Sequence, residues 1–163
     1  MKAFYTVIRK NVTKFALLLL LPLVLAGCSE TSRFSNFESL PAKGWAYGDT
    51  VSIAFPGVDS VMSGTLCVAL RHNNDYGYSN LWMEVTVPVD GGDSVCDTVN
   101  ITMADPYGQW FGSGFGAGYQ LTDTLYNNIS IDLGRPFYVR HIMRVDTLAD
   151  IDMVGLTFKP LDL

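Results

Sequence analysis

The chain has 163 residues, of which 48% are hydrophobic, 12% aromatic and 17% charged, and carries a formal charge of −5. That length supports one globular domain of ordinary size and excludes a multidomain enzyme. The apolar content excludes a disordered chain, and no run of like charge offers a tail for nucleic acid.

The first 27 residues differ in kind from the rest. Lys2, Arg9, Lys10 and Lys14 are basic, no acid occurs, and Phe15 to Ala26 is an unbroken apolar run. A run of 12 residues is well short of the roughly 20 that span a bilayer as a helix, so the segment reads as a helical secretory signal. It ends in Leu25-Ala26-Gly27-Cys28, the form of a bacterial lipobox, in which small residues fit the signal peptidase and the Cys28 thiol takes the lipid. The expected organisation is a signal peptide over 1–27, a lipidated N-terminus and short tether over 28–33, and a single domain over 34–163.

Cleavage removes four basic residues and no acid, leaving seven basic against 16 acidic residues, or −9. An acidic domain repels phosphate backbones and gains nothing from an anionic leaflet. Its partner on the membrane side is therefore the bilayer itself, through acyl chains on Cys28 at about 0.8 kcal/mol per buried CH₂. Nucleic acid is not expected as a partner.

Beyond the tether the apolar period is two almost everywhere. Val51, Ile53 and Phe55 face one way, followed by Leu66, Val68 and Leu70, and then by Leu81, Met83, Val85, Val87 and Val89. A polar loop with two tyrosines is expected over His72 to Asn80. Further stripes lie at Val95, Val99, Ile101 and Met103, at Ile129, Ile131 and Leu133, at Phe137, Val139, Met143 and Val145, and at Val154, Leu156 and Phe158. Turn signals separate them at Pro56-Gly57, Asp90-Gly91-Gly92-Asp93, Asp105-Pro106-Tyr107-Gly108 and Gly134-Arg135-Pro136. Tyr107 to Tyr119, rich in glycine and aromatics, reads as loop or bulged strand. The pattern predicts an all-β fold, an antiparallel β-sandwich of immunoglobulin-like or jelly-roll-like form with about eight strands.

Little in this pattern carries catalysis. Ser113 lacks the Gly-x-Ser-x-Gly spacing of a nucleophile elbow, and the Gly-rich segment lacks the Lys-Ser/Thr ending of a phosphate cradle. Two histidines and no Cys-x-x-Cys argue against zinc, and His141, in register with Phe137, Val139 and Met143, reads as a hydrogen-bonded core residue. Asp146, Asp150 and Asp152 lack the spacing of a calcium loop and read as a solvated turn. No carboxylate pair is singled out for glycoside hydrolysis. The expectation is a protein without enzymatic activity, cofactor or metal, and no small-molecule ligand is specified.

Two features stay open. Cys67 and Cys96 are candidates for a disulfide or for two buried thiols. Tyr76, Tyr78, Tyr107 and Trp110 can form a platform that stacks on a sugar ring, or plug the end of the sandwich.

The segment Leu70-Arg71-His72-Asn73-Asn74-Asp75-Tyr76-Gly77-Tyr78-Ser79-Asn80-Leu81-Trp82 resembles the central motif of the GldH gliding motility lipoproteins, a family of the Bacteroidetes. Ala104-Asp105-Pro106-Tyr107-Gly108-Gln109-Trp110-Phe111-Gly112-Ser113-Gly114 is similar to a second family stretch, and Asp152 to Lys159 to its ending. The resemblance implies a small outer-membrane lipoprotein that works with the gliding machinery linked to type IX secretion, with envelope proteins of that complex as partners and no catalytic activity. It brings no cofactor and no catalytic residue. Asn73, Asp75, Tyr76, Tyr78, Asn80, Asp105, Tyr107 and Trp110 are the candidate contacts, with Asn73 and Asp75 also suited to Asx-turns. Ser29 after the lipidated cysteine favours the outer membrane by the enteric rule, and the sparse acids behind it favour the periplasmic leaflet, with surface exposure left open.

Overall fold

The computed structural model describes residues 33–161, so the signal peptide and Cys28 lie outside the described residues. Every regular element among them is a strand: β1 (Phe34–Ser39), β2 (Trp45–Ala46), β3 (Val51–Ile53), β4 (Val61–Asn73), β5 (Asn80–Pro88), β6 (Ser94–Thr102), β7 (Ser113–Phe115), β8 (Gly118–Asp132), β9 (Phe137–His141), β10 (Thr147–Leu148) and β11 (Ile151–Pro160). They form a five-stranded sheet in the order β1-β11-β4-β8-β7, a four-stranded sheet in the order β3-β9-β5-β6, and a small ribbon of β10 and β2. All the strand pairs are antiparallel.

The alternating sequence explains the two layers. In the larger sheet, Leu66, Val68 and Leu70 of β4 stand across from Phe158, Leu156 and Val154 of β11. In the smaller, Met83 and Val85 of β5 stand across from His141 and Val139 of β9. All ten are buried between the sheets, together with Trp45, Ile53, Leu81, Val87, Ile131 and Phe137. Each large apolar side chain removed from water contributes about 1.5–3 kcal/mol.

The expected stripes of β3, β4, β5, β9 and β11 all face this core. The strand count is higher than expected because β2, β7 and β10 are only two or three residues long, too short for any period to show. β1 was also not anticipated. Its Phe37 ring lies over Gly155 of β11, where any Cβ would collide with it.

β8 is longer than its Ile129–Leu133 stripe implies. Its pairing with β4 shifts register around Leu66, Tyr126, Cys67 and Thr124, and Asn128 takes a positive φ of 54°. Such bulges break the strict alternation that marks a strand in sequence.

The expected loop over His72 to Asn80 is shorter than predicted. His72 and Asn73 end β4, and Asn80 begins β5. His72 continues the inward row of Leu66, Val68 and Leu70, and it is fully buried.

Candidate functional site

The two motif segments meet at one end of the sandwich, where polar side chains replace regular ladder bonds. Asn73 Oδ1 accepts the Asp75 N–H at 2.7 Å in an Asx-turn, and Asn73 Nδ2 donates to Asp150 Oδ1 at 2.8 Å, tying this turn to the one before β11. Tyr76 donates its hydroxyl to the Asn80 carbonyl at 2.9 Å, and Asn80 Nδ2 donates to Asn100 Oδ1 at 2.7 Å. Asp105 Oδ1 accepts the N–H groups of Tyr107 and Gln109, both at 2.8 Å, which folds the second segment into its own Asx-turn. The indole N–H of Trp110 then donates to Asn74 Oδ1 at 3.0 Å and joins the two loops.

Beneath that bond lies an aromatic cluster centred on His72. The Trp110 ring meets the imidazole edge-on at 4.6 Å between centroids, Tyr119 stacks on it at 5.6 Å, and Tyr76 lies at 5.8 Å. His72 Nδ1 is 2.9 Å from the Asn73 carbonyl, while Nε2 has no hydrogen-bond partner. Desolvation therefore pushes the His72 pKa below its ordinary value, against the Asn73 carbonyl and the Asp152 charge, which act to raise it. Burial likewise drives the Tyr76 phenol well above its usual range, with Tyr78 adding to the shift. Both side chains are held neutral at pH 7.

His141 repeats the pattern. Its Nε2 lies 3.0 Å from the Trp45 carbonyl, its Nδ1 is unpartnered, and desolvation lowers its pKa against the backbone carbonyls of Trp45 and Ala46. The expected hydrogen-bonded core histidine is present at one of its two nitrogens.

This geometry divides the candidate contacts. Tyr76 is buried, and Trp110 is half-covered with its N–H spent on Asn74, so neither offers a free ring face. Asn73, Asn80 and Asp105 hold the loops. Tyr107, at 95% exposure, stands out at the tip of its turn, while Tyr78 and Asp75 are also exposed. Gly112 anchors the return of this loop: its φ is +88°, and any Cβ would run into the Gln120 backbone.

A second aromatic region lies on the outer face of the four-stranded sheet. Trp82 and Tyr138 are each exposed, and the 2.6 Å ion pair of Arg140 and Glu84 crosses between the Trp82 and Tyr138 rows. At one end, a groove of about 590 Å³ is lined by Tyr78, Trp82, Ile142, Met143, Arg144 and Val145. The sequence places Trp82 opposite the Leu81 and Met83 face. It does not draw attention to Tyr138, although Tyr138 is the outward residue between Phe137 and Val139.

The cysteines are not paired. Cys67 and Cys96 are both free, and the disulfide held open by the sequence is not formed. Cys67 sits between the inward residues Leu66 and Val68 of one sheet, and Cys96 across from Thr86 on the outer face of the other. The two thiols therefore point away from each other across layers about 10 Å apart. Among the described residues, no group of three or more His, Cys, Asp or Glu converges to hold a metal ion.

A family profile described as GldH lipoprotein matches residues 32–158. The chain is 30% identical over 94 residues to a gliding motility lipoprotein GldH homolog of Christiangramia forsetii, covering 58% of this chain and 57% of that protein. It is 32% identical over 99 residues to the gliding motility lipoprotein GldH of Flavobacterium johnsoniae, covering 61% of this chain and 62% of that one. The aligned part is thus less than two thirds of either relative. Among solved structures, an exo-beta-1,3-galactanase from Phanerochaete chrysosporium aligns with 78% of this chain and 27% of its own at 23% identity, but the TM-score is 0.35, and such a likeness carries no argument.

Proposed function

Because the chain belongs to the GldH lipoprotein family, we propose that it is a lipid-anchored, non-enzymatic envelope component that assembles or scaffolds an outer-membrane complex linked to gliding and type IX secretion. The observation that carries this reading is the family match over residues 32–158, standing directly behind the lipobox Leu25-Ala26-Gly27-Cys28. Cys28 is the anchor, and the domain faces the periplasm. The two motif loops, pinned by Asn73, Asp105 and the Asn74–Trp110 bond, present Tyr78 and Tyr107 outward.

The test is crosslinked co-purification of the tagged chain from its own host's outer membrane, read by mass spectrometry. Stoichiometric recovery of gliding or type IX secretion proteins is expected, and recovery of the chain alone overturns the reading. Cys28→Ala should move the folded protein from the membrane to the soluble fraction; full membrane retention contradicts the anchor.

A second reading, a glycan-binding lipoprotein, draws support from the exposed Trp82 and Tyr78 beside Arg144 in the groove. Flat aromatic faces beside a hydrogen-bonding cation are suited to pyranose rings. On this reading Trp82, rather than Trp110, carries the stacking.

A further inference from the structure

The two sheets are bordered by four edge strands with very different protection. β3 and β7 are three residues long, and β1 is stapled across to the other sheet by Asn36 Nδ2 donating to the Ala54 carbonyl at 2.8 Å. Short edges, bulges, Pro and Lys are the usual means of blocking unwanted strand pairing. β6 has none of these, and the one blocking device it carries is the inward charge of Asp97. Its nine residues pair with β5 from Ser94 to Thr102 without a register shift, among the described residues no strand lies on its other side, and it contains no Pro, Lys or Arg. Because the Val89 N–H bonds the Asp93 carbonyl, the antiparallel alternation turns the backbone groups of Cys96, Thr98 and Asn100 to the open side.

The core is uncovered along the same side. Val95 belongs to the inward row, across from the fully buried Val87, yet it is 39% exposed, and Val99 is only half-buried. In the facing sheet, β7 covers β8 only over Gly118–Gln120, and the next contact on that side is the bridge of Val89 to Ile131. The rim is acidic. Asp97, across from Val85, receives the Tyr126 hydroxyl of β8, and Asp123 stands across from Val68, so both carboxylates are on inward rows. β8 also lacks Lys and Arg. The nearest cation at the β5–β6 turn, Arg135, is engaged by the Gly92 and Asp93 carbonyls and Ser94 Oγ.

We propose that β6 accepts an extended, basic segment of a partner protein as an added strand that closes this side of the sandwich. The inward row of β6 reads Val95, Asp97, Val99, so the complementary row of the segment is apolar, basic, apolar at every second residue: the apolar pair covers the valines, and the cation meets Asp97. Backbone bonds supply the affinity and this alternate row the specificity. The inference rests on the scaffold reading only for the existence of a protein partner. Its test uses a synthetic probe without any envelope complex, so the two fail separately.

The probe is the capped peptide Thr-Val-Thr-Lys-Thr-Val-Thr, added to the full-length chain in neutral detergent and followed by amide hydrogen exchange. Exchange across 94–102 should slow at least tenfold while β1 is unchanged, and the peptide with Glu in place of Lys should have no effect. Thr98→Pro, which removes an outward N–H, should abolish the protection. Asp97→Asn, which keeps a partner for Tyr126 and the strand intact, should weaken binding about tenfold. Equal protection by both peptides, or protection confined to another strand, overturns the proposal. So does protection of β6 without peptide that grows with protein concentration, since a second copy then occupies the edge.

Discussion

The loop end around His72 and the outer face of the four-stranded sheet are both rich in aromatic side chains, but they use them in opposite ways. At the loop end, Trp110, Tyr76 and Tyr119 close over a buried imidazole, and the Trp110 N–H and Tyr76 O–H are committed to Asn74 and Asn80. On the sheet face, Trp82 and Tyr138 stand exposed beside a half-buried ion pair. Aromatic content therefore does not identify a contact surface; the fate of the ring faces and of the N–H and O–H groups does.

The sharpest way to break this contrast is to truncate one residue from each region. Trp110→Ala should cost about 3 kcal/mol in a urea unfolding curve, by the scale of buried aromatic truncations. If it costs nothing, the loop end is not a structural plug and Trp110 returns as a contact. Acidification comes next. His72 and His141 have folded pKa values below their unfolded value of 6.5, so as pH falls through 6.5 the unfolded state takes up protons first. Stability should therefore drop between pH 7 and pH 5, by at most about 1.4 kcal/mol per pH unit for each histidine. His72→Phe cannot charge and should flatten that slope; an unchanged slope places the titration elsewhere.

Smaller effects sharpen the comparison. Asp105→Ala loses two backbone partners and should destabilise by about 1 kcal/mol, with exchange rising locally at Tyr107 and Gln109. Trp82→Ala should change stability by less than about 0.5 kcal/mol, in line with exposed positions, while lowering recovery of envelope partners or polysaccharide on affinity chromatography. A large stability loss would show that the sheet face, too, is structural.

The all-β class was readable because the long strands keep period two, as Leu81 to Val87 do. What escaped was wherever another force outweighed periodicity. The bulges near Tyr126 and Asn128 broke the stripe of β8, and β2 and β10 were too short to have one. His72 looked polar and loop-like beside Asn73, Asn74 and Asp75, although its position two residues after Leu70 gave its true direction. The Asx-turn at Asn73 and the turn begun by Asp105 were legible, because such residues bond their own backbone over short spacings, whereas Asp75, equally suited to an Asx-turn, supplies the N–H that Asn73 accepts. The packing of Trp110 on His72 was not, since 38 residues separate them and nothing local encodes the contact.

The sheet order also sets the sequence of events by which the molecule forms. β1 pairs as a strand only with β11, the last of the described strands, and β11 in turn lies between β1 and β4. A chain emerging from its N-terminus can bring β4, β5 and β6 together early, but the first strand waits without a partner until the final ten residues of strand arrive. Such non-local closure is slow. The larger sheet therefore depends on its last strand: until β11 arrives, β1 has no strand to pair with and β4 keeps one open side.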